Sequence, residues 1–201
     1  LALLSFLCIG LSLLRSGSAV TTTAGTPDGS ELWGYVEVRP KAHLFWWYYK
    51  SPQRTPTPTK PWPTVLWLQG GPVRTANRTV VWTSGGFAGR VRRRLGNFQE
   101  IGPLDVNLQP RNSTWLQKAD LIFVDNPVGV GYSYVEDDSL LVTTDWQQAA
   151  DATALLKALV KEVPTLQSSP LFLVAESYGG KYAATLGASV ARAVRAGELN
   201  V

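Results

Sequence analysis

The chain has 201 residues, of which 45% are hydrophobic, and its formal net charge is +4. This hydrophobic content is enough for the core of one domain of ordinary size, so the composition excludes a disordered chain. The single cysteine, Cys8, lies near the start, which excludes disulfide bonds within the chain and cysteine-based metal sites.

Residues 1–19 are typical of an export signal. The largely apolar residues 1–14 are followed by Gly17, Ser18 and Ala19, small residues of the kind that a signal peptidase requires. A membrane-spanning helix needs roughly 20 apolar residues, so a cleaved signal is favoured over an uncleaved anchor or a buried helix. The chain contains no Met, so we expect its natural start to be missing. The sequence predicts a protein of the secretory pathway, secreted or lysosomal/vacuolar, without a stable membrane anchor.

Two N-glycosylation acceptor sequences are present, at Asn77-Arg78-Thr79 and at Asn112-Ser113-Thr114. Such triplets are common by chance, and they support export only together with the signal. Asn112 is the predicted glycosylation site, and Asn77 is a second candidate within an unusual segment described below.

An antiparallel hairpin is predicted by two stretches rich in aromatic and β-branched residues. These strands cover Glu31 to Val38 and His43 to Lys50, with a turn at Arg39-Pro40-Lys41. Five prolines between Ser51 and Pro63 then predict an exposed loop.

Three short apolar runs without alternation indicate strands that are buried on both faces, as in a parallel sheet. They are residues 64–68, 121–124 and 171–174.

Two helices are predicted around the last of these runs. Apolar residues recur at helical spacing from Trp146 to Val163, after Thr144 as N-cap and before Pro164. The second helix should extend from about Gly180 to Ala196, with Gly197 as its terminator. A hairpin followed by strand, helix, strand and helix predicts an α/β fold with a mostly parallel sheet.

The junction of the last strand and the last helix is typical of a nucleophile elbow. In such an elbow a serine occupies a tight turn between small residues, because bulky side chains there would collide with neighbouring backbone. Ala175 and Gly179 meet this demand on either side of Ser177. The first position is Ala rather than the usual Gly, and a turn that merely packs a helix against a sheet is the alternative. Ser177 is therefore a candidate nucleophile.

Four segments, in order along the chain, resemble the serine carboxypeptidase family. The resemblance covers residues 31–201 except one segment, and Gln69 and Lys181 make it most similar to the retinoid-inducible branch. It implies an α/β-hydrolase fold, of which residues 25–201 would form the N-terminal portion, a mixed and mostly parallel sheet flanked by helices. The segments are LWLQGGP at 66–72, GNFQEIGP at 96–103, DNPVGVGYSY at 125–134 and ESYGGKY at 176–182.

The resemblance implies that Ser177 attacks the scissile carbonyl of a peptide or protein C-terminus. The backbone N–H groups of Gly71 and Tyr178 would form the oxyanion hole, in which two fixed donors stabilise the developing negative charge. No cofactor, metal ion or nucleic acid partner is implied.

Recognition of a free C-terminal carboxylate is implied for Gln69, Gly70 and Glu176, with Glu100 as a second carboxyl beside Glu176. Two carboxyls that share a site cannot both ionise easily, so one retains a proton that can bind the carboxylate, and acid-favoured activity is expected. The alternative is that Glu100 and Glu176 are unrelated surface acids. Trp67 either lines this site or belongs to the core.

Two features depart from the family pattern. A triad on this fold follows the order Ser, acid, His, but the only histidine, His43, precedes Ser177. We therefore expect the triad acid and base outside this chain, and a fragment that is inactive alone. Residues 73–95 hold six Arg and no acid where the family has only a short connection. A wrongly predicted exon is favoured there over a basic arm for nucleic acid or anionic surfaces.

The leading hypothesis is thus a serine carboxypeptidase. An acyltransferase on the same scaffold and a non-catalytic hydrolase-like binding protein are the alternatives, because a fold does not determine its function. The sequence leaves the oligomeric state open.

Overall fold

A computed structural model describes residues 21–55, 57, 59–74, 80–83 and 95–201. The predicted signal with Cys8, the acceptor Asn77 and most of the Arg-rich segment lie outside these residues. Within the described ranges, no helix combines the length and the apolar character that crossing a membrane requires.

Seven strands form one mixed sheet, and two more form a separate small ribbon. In chain order the strands are β1 (Thr21–Gly25), β2 (Glu31–Arg39), β3 (Ala42–Tyr49), β4 (Thr64–Leu68), β5 (Gly70–Arg74), β6 (Val80–Thr83), β7 (Asp120–Val124), β8 (Tyr134–Val135) and β9 (Leu171–Ala175).

The main sheet has the order β1-β2-β3-β7-β4-β9, with β8 paired to β3. Strands β4, β7 and β9 are parallel to one another, whereas β1, β2 and β3 are joined antiparallel at one side. This is the predicted α/β architecture. The ribbon β5–β6 was not predicted from the sequence, which indicated only an atypical segment there.

The predicted hairpin is confirmed as β2 and β3. Lys41 adopts a φ of 65° at the turn, and the pairing shifts register beside it, as expected where an extra residue is inserted into one strand. Strand β1 was not predicted, because Thr21-Thr22-Thr23 shows no alternation of apolar and polar residues.

Both predicted helices are present with bounds close to those expected. Helix α1 spans Asp145–Glu162, and the hydroxyl of Thr144 accepts a hydrogen bond from the N–H of Gln147, which caps its start. Helix α2 spans Gly179–Arg195 and ends before Gly197, whose φ is 69°. Glycine adopts this left-handed conformation without a steric penalty and so terminates the helix.

Two apolar layers enclose the sheet. Helices α1 and α2 pack on one face, where Leu155, Leu159 and Leu186 are fully buried. Residues 95–119 cover part of the other face, where Trp67 and Leu121 are buried. Every residue of β4 is buried, as predicted.

Strand β9 does not fulfil the prediction of burial on both faces. Phe172 has 51% of its surface exposed, and among the described residues β9 pairs only with β4. The apolar run predicted the strand correctly, but its outer face has no cover in the described part of the chain.

A buried carboxylate links the start of β7 to the loop that follows β3. Asp120 is completely buried and accepts hydrogen bonds from the Tyr48 hydroxyl, the Ser51 N–H and Nε of Arg54, at 3.0, 2.8 and 3.0 Å. The side chain of Arg54 is only 12% exposed, so each of these two buried charges needs the other as its counterion. This network fixes the Pro-rich loop against the N-terminal end of the parallel strands.

We predict that Asp120→Ala lowers the free energy of unfolding of the parent protein, that is, the natural protein that carries this sequence. The expected loss is about 3–5 kcal/mol, because Arg54 would keep a largely buried charge without its carboxylate counterion. Chemical denaturation measures the change. The control is Glu198→Ala, which removes the exposed ion pair with Lys157 and should cost at most about 1 kcal/mol. Equal losses for the two variants would contradict the prediction.

Candidate active site

The turn between β9 and α2 has the geometry of an elbow that presents a serine. Ser177 adopts a φ of 55°, and its side chain is exposed. A non-glycine residue in this region is strained, and such strain persists only where the surrounding structure imposes it. A turn that merely packed a helix against a sheet would require neither the strain nor the exposure, so this geometry favours the elbow over that alternative.

Close contact between two backbone segments holds this turn. The Glu176 N–H donates to the Leu68 carbonyl at 3.1 Å, which continues the parallel pairing of β9 with β4 beyond the strand end. A Cβ atom on Gly70 would lie 2.6 Å from Ser177 Cβ and 2.6 Å from the Tyr178 nitrogen, too close for any side chain. Gly179 abuts the Leu68 carbonyl in the same way. Glycine is therefore a steric requirement at both positions.

The amide of Gln69 joins two carboxyls beside this turn. Its Nε2 donates to Glu176 Oε2 at 2.9 Å and to Glu100 Oε1 at 3.3 Å. The indole Nε1 of Trp67 donates to the amide oxygen at 2.8 Å, which directs the NH₂ group toward the two carboxyls. Glu100 and Glu176, 76 positions apart in sequence, thus belong to one cluster rather than to unrelated surfaces.

Burial raises the pKa of Glu100 above its ordinary value. Desolvation is the largest cause, the hydrogen bond from Gln69 opposes it, and the negative charge of Glu176 adds to it. The second carboxyl oxygen, Oε2, is buried and has no hydrogen-bond partner among the described residues. Burial, and to a lesser degree the charge of Glu176, thus make Glu100 retain its proton to higher pH than a carboxyl in water.

The structure brings five of the predicted site residues together at the elbow and places three others near it. Trp67 is 8% exposed, so it belongs to the core and also orients the site amide. Gly71 lies in the ribbon strand β5, directly after Gly70. The five that meet at the elbow are Gln69, Gly70, Glu100, Glu176 and Ser177, and the Tyr178 nitrogen lies beside Gly70.

His43 lies apart from this cluster. It stacks on Tyr134 at 4.5 Å between ring centroids and contacts Glu136. Its strand β3 is three positions from β9 in the sheet, roughly 14 Å at the usual strand spacing. The imidazole is therefore too far from Ser177 to serve as its base, in line with the structural role expected for it.

Sequence reasoning missed how Glu100 is held. Leu95–Glu100 form a turn of π-helix, and Glu100 is its last residue. Gly96 lies against the Trp67 indole, where a Cβ atom would collide. No periodic pattern predicts such a turn, and the glycine was the one available signal that the backbone approaches another group there.

Lys181 fastens the elbow to helix α1. Its Nζ lies 2.8 Å from Asp145 Oδ2 and 3.2 Å from the Tyr178 hydroxyl. These contacts raise the pKa of Lys181, first through the hydrogen bond to Asp145. The ammonium group thus ties the first turn of α2 to the first residue of α1.

Comparisons with known proteins identify close similarity over most of the chain. A family model described as serine carboxypeptidase matches residues 22–76 and 73–200. Serine carboxypeptidase-like 51 of Arabidopsis thaliana is 57% identical, and the match covers 87% of this chain and 35% of that protein. The retinoid-inducible serine carboxypeptidase of Mus musculus is 43% identical, with 99% of this chain and 39% of that protein covered. The chain thus spans somewhat more than a third of the length of these relatives.

The fold also resembles a solved structure. Kex1(delta)p, described as a prohormone-processing carboxypeptidase from Saccharomyces cerevisiae, superposes with a TM-score of 0.62 over 85% of this chain and 36% of that one. At 19% identity this similarity shows the fold alone. It agrees with the α/β-hydrolase architecture expected from the sequence.

We predict that Gly70→Ala destabilises the parent protein, because the added methyl group would force the elbow away from the end of β4. The expected loss is about 1–3 kcal/mol, the usual cost of overpacking. Chemical denaturation provides the measurement, with Gly180→Ala as the matched control. A Cβ atom at Gly180 meets nothing within 4 Å, so this change within α2 should be neutral or stabilise by up to about 1 kcal/mol. Equal stability of the two variants would count against the steric argument.

Proposed function

Because this chain belongs to the serine carboxypeptidase family, as its four motifs indicated, we propose that its parent protein releases C-terminal residues from peptides or proteins by acyl-enzyme chemistry at Ser177. The observation that carries the proposal is the cluster of Gln69, Glu100 and Glu176 beside the elbow. An exopeptidase must recognise a free carboxylate close to the bond that it cleaves, and this cluster lies next to the nucleophile.

The cluster is suited to bind a carboxylate. The Gln69 amide is oriented by Trp67, and the Glu100–Glu176 pair favours retention of a proton, which supplies a hydrogen-bond donor. A carboxylate held by neutral donors needs no buried cation to balance it. Once bound, it would fix the last residue of the substrate and place the preceding carbonyl near Ser177.

The reaction would proceed in two steps. Ser177 Oγ attacks the carbonyl carbon while a base takes its proton, and the backbone N–H groups of Gly71 and Tyr178 stabilise the oxyanion. The leaving amine receives the proton and departs with the C-terminal residue, and water then hydrolyses the ester in the same manner. His43 is remote from Ser177, so we assign the base and its acidic partner to the part of the parent protein outside this chain.

Two alternative functions fit the site less well. An acyltransferase would use the same serine and oxyanion donors, but the paired carboxyls favour recognition of a free C-terminus. A non-catalytic binding protein would gain nothing from an exposed serine held at a φ of 55°. The hydrolase is therefore the function that the geometry supports best.

We also propose that the parent protein passes through the secretory pathway and is secreted or delivered to a lysosome or vacuole. The signal-like start supports this, and so does the exposure of Asn112, whose side chain is accessible to a glycan. Peptide and protein C-termini are the proposed partners.

We predict that a fluorophosphonate labels Ser177 of the parent protein, and that Ser177→Ala abolishes both labelling and release of the last residue from a blocked dipeptide. Loss of a triad nucleophile typically leaves only about 10³–10⁴-fold acceleration over water. Mass spectrometry of the labelled peptide identifies the site. Ser139→Ala is the control, because Ser139 is also exposed and lies outside the site. Undiminished labelling of Ser177→Ala would refute the assignment.

We predict that Glu176→Gln flattens the pH dependence of KM. In the unmodified protein Glu100, whose pKa is raised first by burial and also by the charge of Glu176, loses its proton as pH rises through that pKa, so KM should increase with pH. An amide at position 176 donates at every pH, so KM should depend less on the proton of Glu100. Loss of the Glu176 charge also lowers the pKa of Glu100, which moves the remaining rise in KM to lower pH. The measurement is KM against pH for a blocked dipeptide, and an unchanged rise in KM with pH would argue against this role of the Glu100 proton.

A further inference from the structure

We propose that Arg111 is a positioning residue for Glu100, acting through the backbone that carries this acid. The inference rests on the proposed function, because it assigns Arg111 a part in recognising the substrate carboxylate. Arg111 itself contacts neither Gln69 nor Glu176 through any hydrogen bond seen among the described residues.

The guanidinium of Arg111 binds the end of the π-helical turn. Its Nη2 donates to the carbonyls of Gln99 and Glu100 at 2.8 and 3.0 Å, and Nη1 approaches the Gly102 carbonyl at 3.5 Å. One planar group thus binds carbonyls on both sides of the Glu100 side chain. The planar fork of a guanidinium is suited to several acceptors at once, whereas an ammonium group is a single point of charge.

The backbone of Arg111 and the residues that follow it bind the remaining carbonyls of this segment. Its own N–H donates to the Pro103 carbonyl at 2.8 Å, and the Ile101 carbonyl accepts from Thr114 Oγ1 and from the Trp115 N–H, each at 2.9 Å. Residues 111–115 therefore satisfy all five consecutive carbonyls from residue 99 to residue 103. A backbone carbonyl without such a contact would need another hydrogen-bond partner. These contacts therefore fix the backbone from residue 99 to residue 103, which includes Glu100.

Two consequences for Glu100 follow, one geometric and one electrostatic. With its main chain fixed, the carboxyl of Glu100 stays within reach of the Gln69 amide. The positive charge of Arg111 also lowers the pKa of Glu100, against the upward effects of burial and of Glu176. Arg111 thus opposes the retention of the proton by Glu100, and so helps to limit the upper end of the pH range in which the carboxylate is bound.

The charge and the geometry are separable by substitution. Arg111→Gln removes both the charge and most of the hydrogen bonds, whereas Arg111→Lys retains the charge but cannot reproduce the fork. Arg195→Gln is the control for the general loss of one cation, because Arg195 is exposed near the end of α2.

The experiment measures kcat and KM of the complete parent protein against pH, with a blocked dipeptide and with the same dipeptide amidated at its C-terminus. For Arg111→Gln we expect KM for the free acid to rise on the order of tenfold while kcat changes little. We also expect the fall of kcat/KM on the alkaline side to move to higher pH, because the pKa of Glu100 rises when the cation is lost. The amidated substrate should be affected much less.

Arg111→Lys should show a smaller rise in KM and an alkaline fall at the original pH, because its charge remains. This variant also carries the test if Arg111→Gln does not fold. Equal effects on the free and amidated substrates, or KM values and pH profiles for both variants that match the unmodified protein, would overturn the inference. Failure of the proposed function would look different, since the unmodified protein itself would then show no Ser177-dependent hydrolysis.

Discussion

The close approach of two backbone segments is the constraint on which the whole site depends. The end of β4 and the turn after β9 lie so near each other that only glycine is accommodated at Gly70 and Gly179. This approach extends the parallel pairing of the strands, because the Glu176 N–H binds the Leu68 carbonyl. It brings Gln69 and Glu176 within hydrogen-bonding distance and leaves Ser177 in its strained conformation. The proposed recognition of the substrate and the proposed attack by Ser177 would therefore both depend on one packing contact.

The Gln69 amide offsets the repulsion between Glu100 and Glu176, because its NH₂ group binds both carboxyls. Two carboxyls side by side disfavour each other's ionisation, but a donor between them can bind both at once. Such a donor must not flip, since its oxygen would then face the acids, and the Trp67 indole prevents this. On the other side of Glu100, Arg111 restrains the main chain and partly offsets the effect of burial. The site is thus a chain of orienting contacts with the carboxyl pair at its centre.

Local patterns determined most of the fold that could be predicted. Apolar runs identified β4, β7 and β9, and the capping residue Thr144 marked the start of α1, because these signals come from neighbours in sequence. The meeting of Glu100 with Glu176 was inferred from resemblance rather than from spacing, since contacts between distant segments leave no periodic trace. The π-helical turn and the support from Arg111 could not be foreseen, because both depend on carbonyl groups that every residue possesses.

The position of β9 in the sheet leaves one side of this strand open for pairing within the described residues. Strand β9 pairs with β4 on one side only within the described residues, and Phe172 projects from it with half of its surface exposed. A strand with free backbone donors and acceptors is a template for another strand, and an apolar side chain favours that association. Within the described part of the chain, β9 is therefore an edge at which a further strand could pair. The strand that leads into the elbow is thus also a strand at the edge of the sheet.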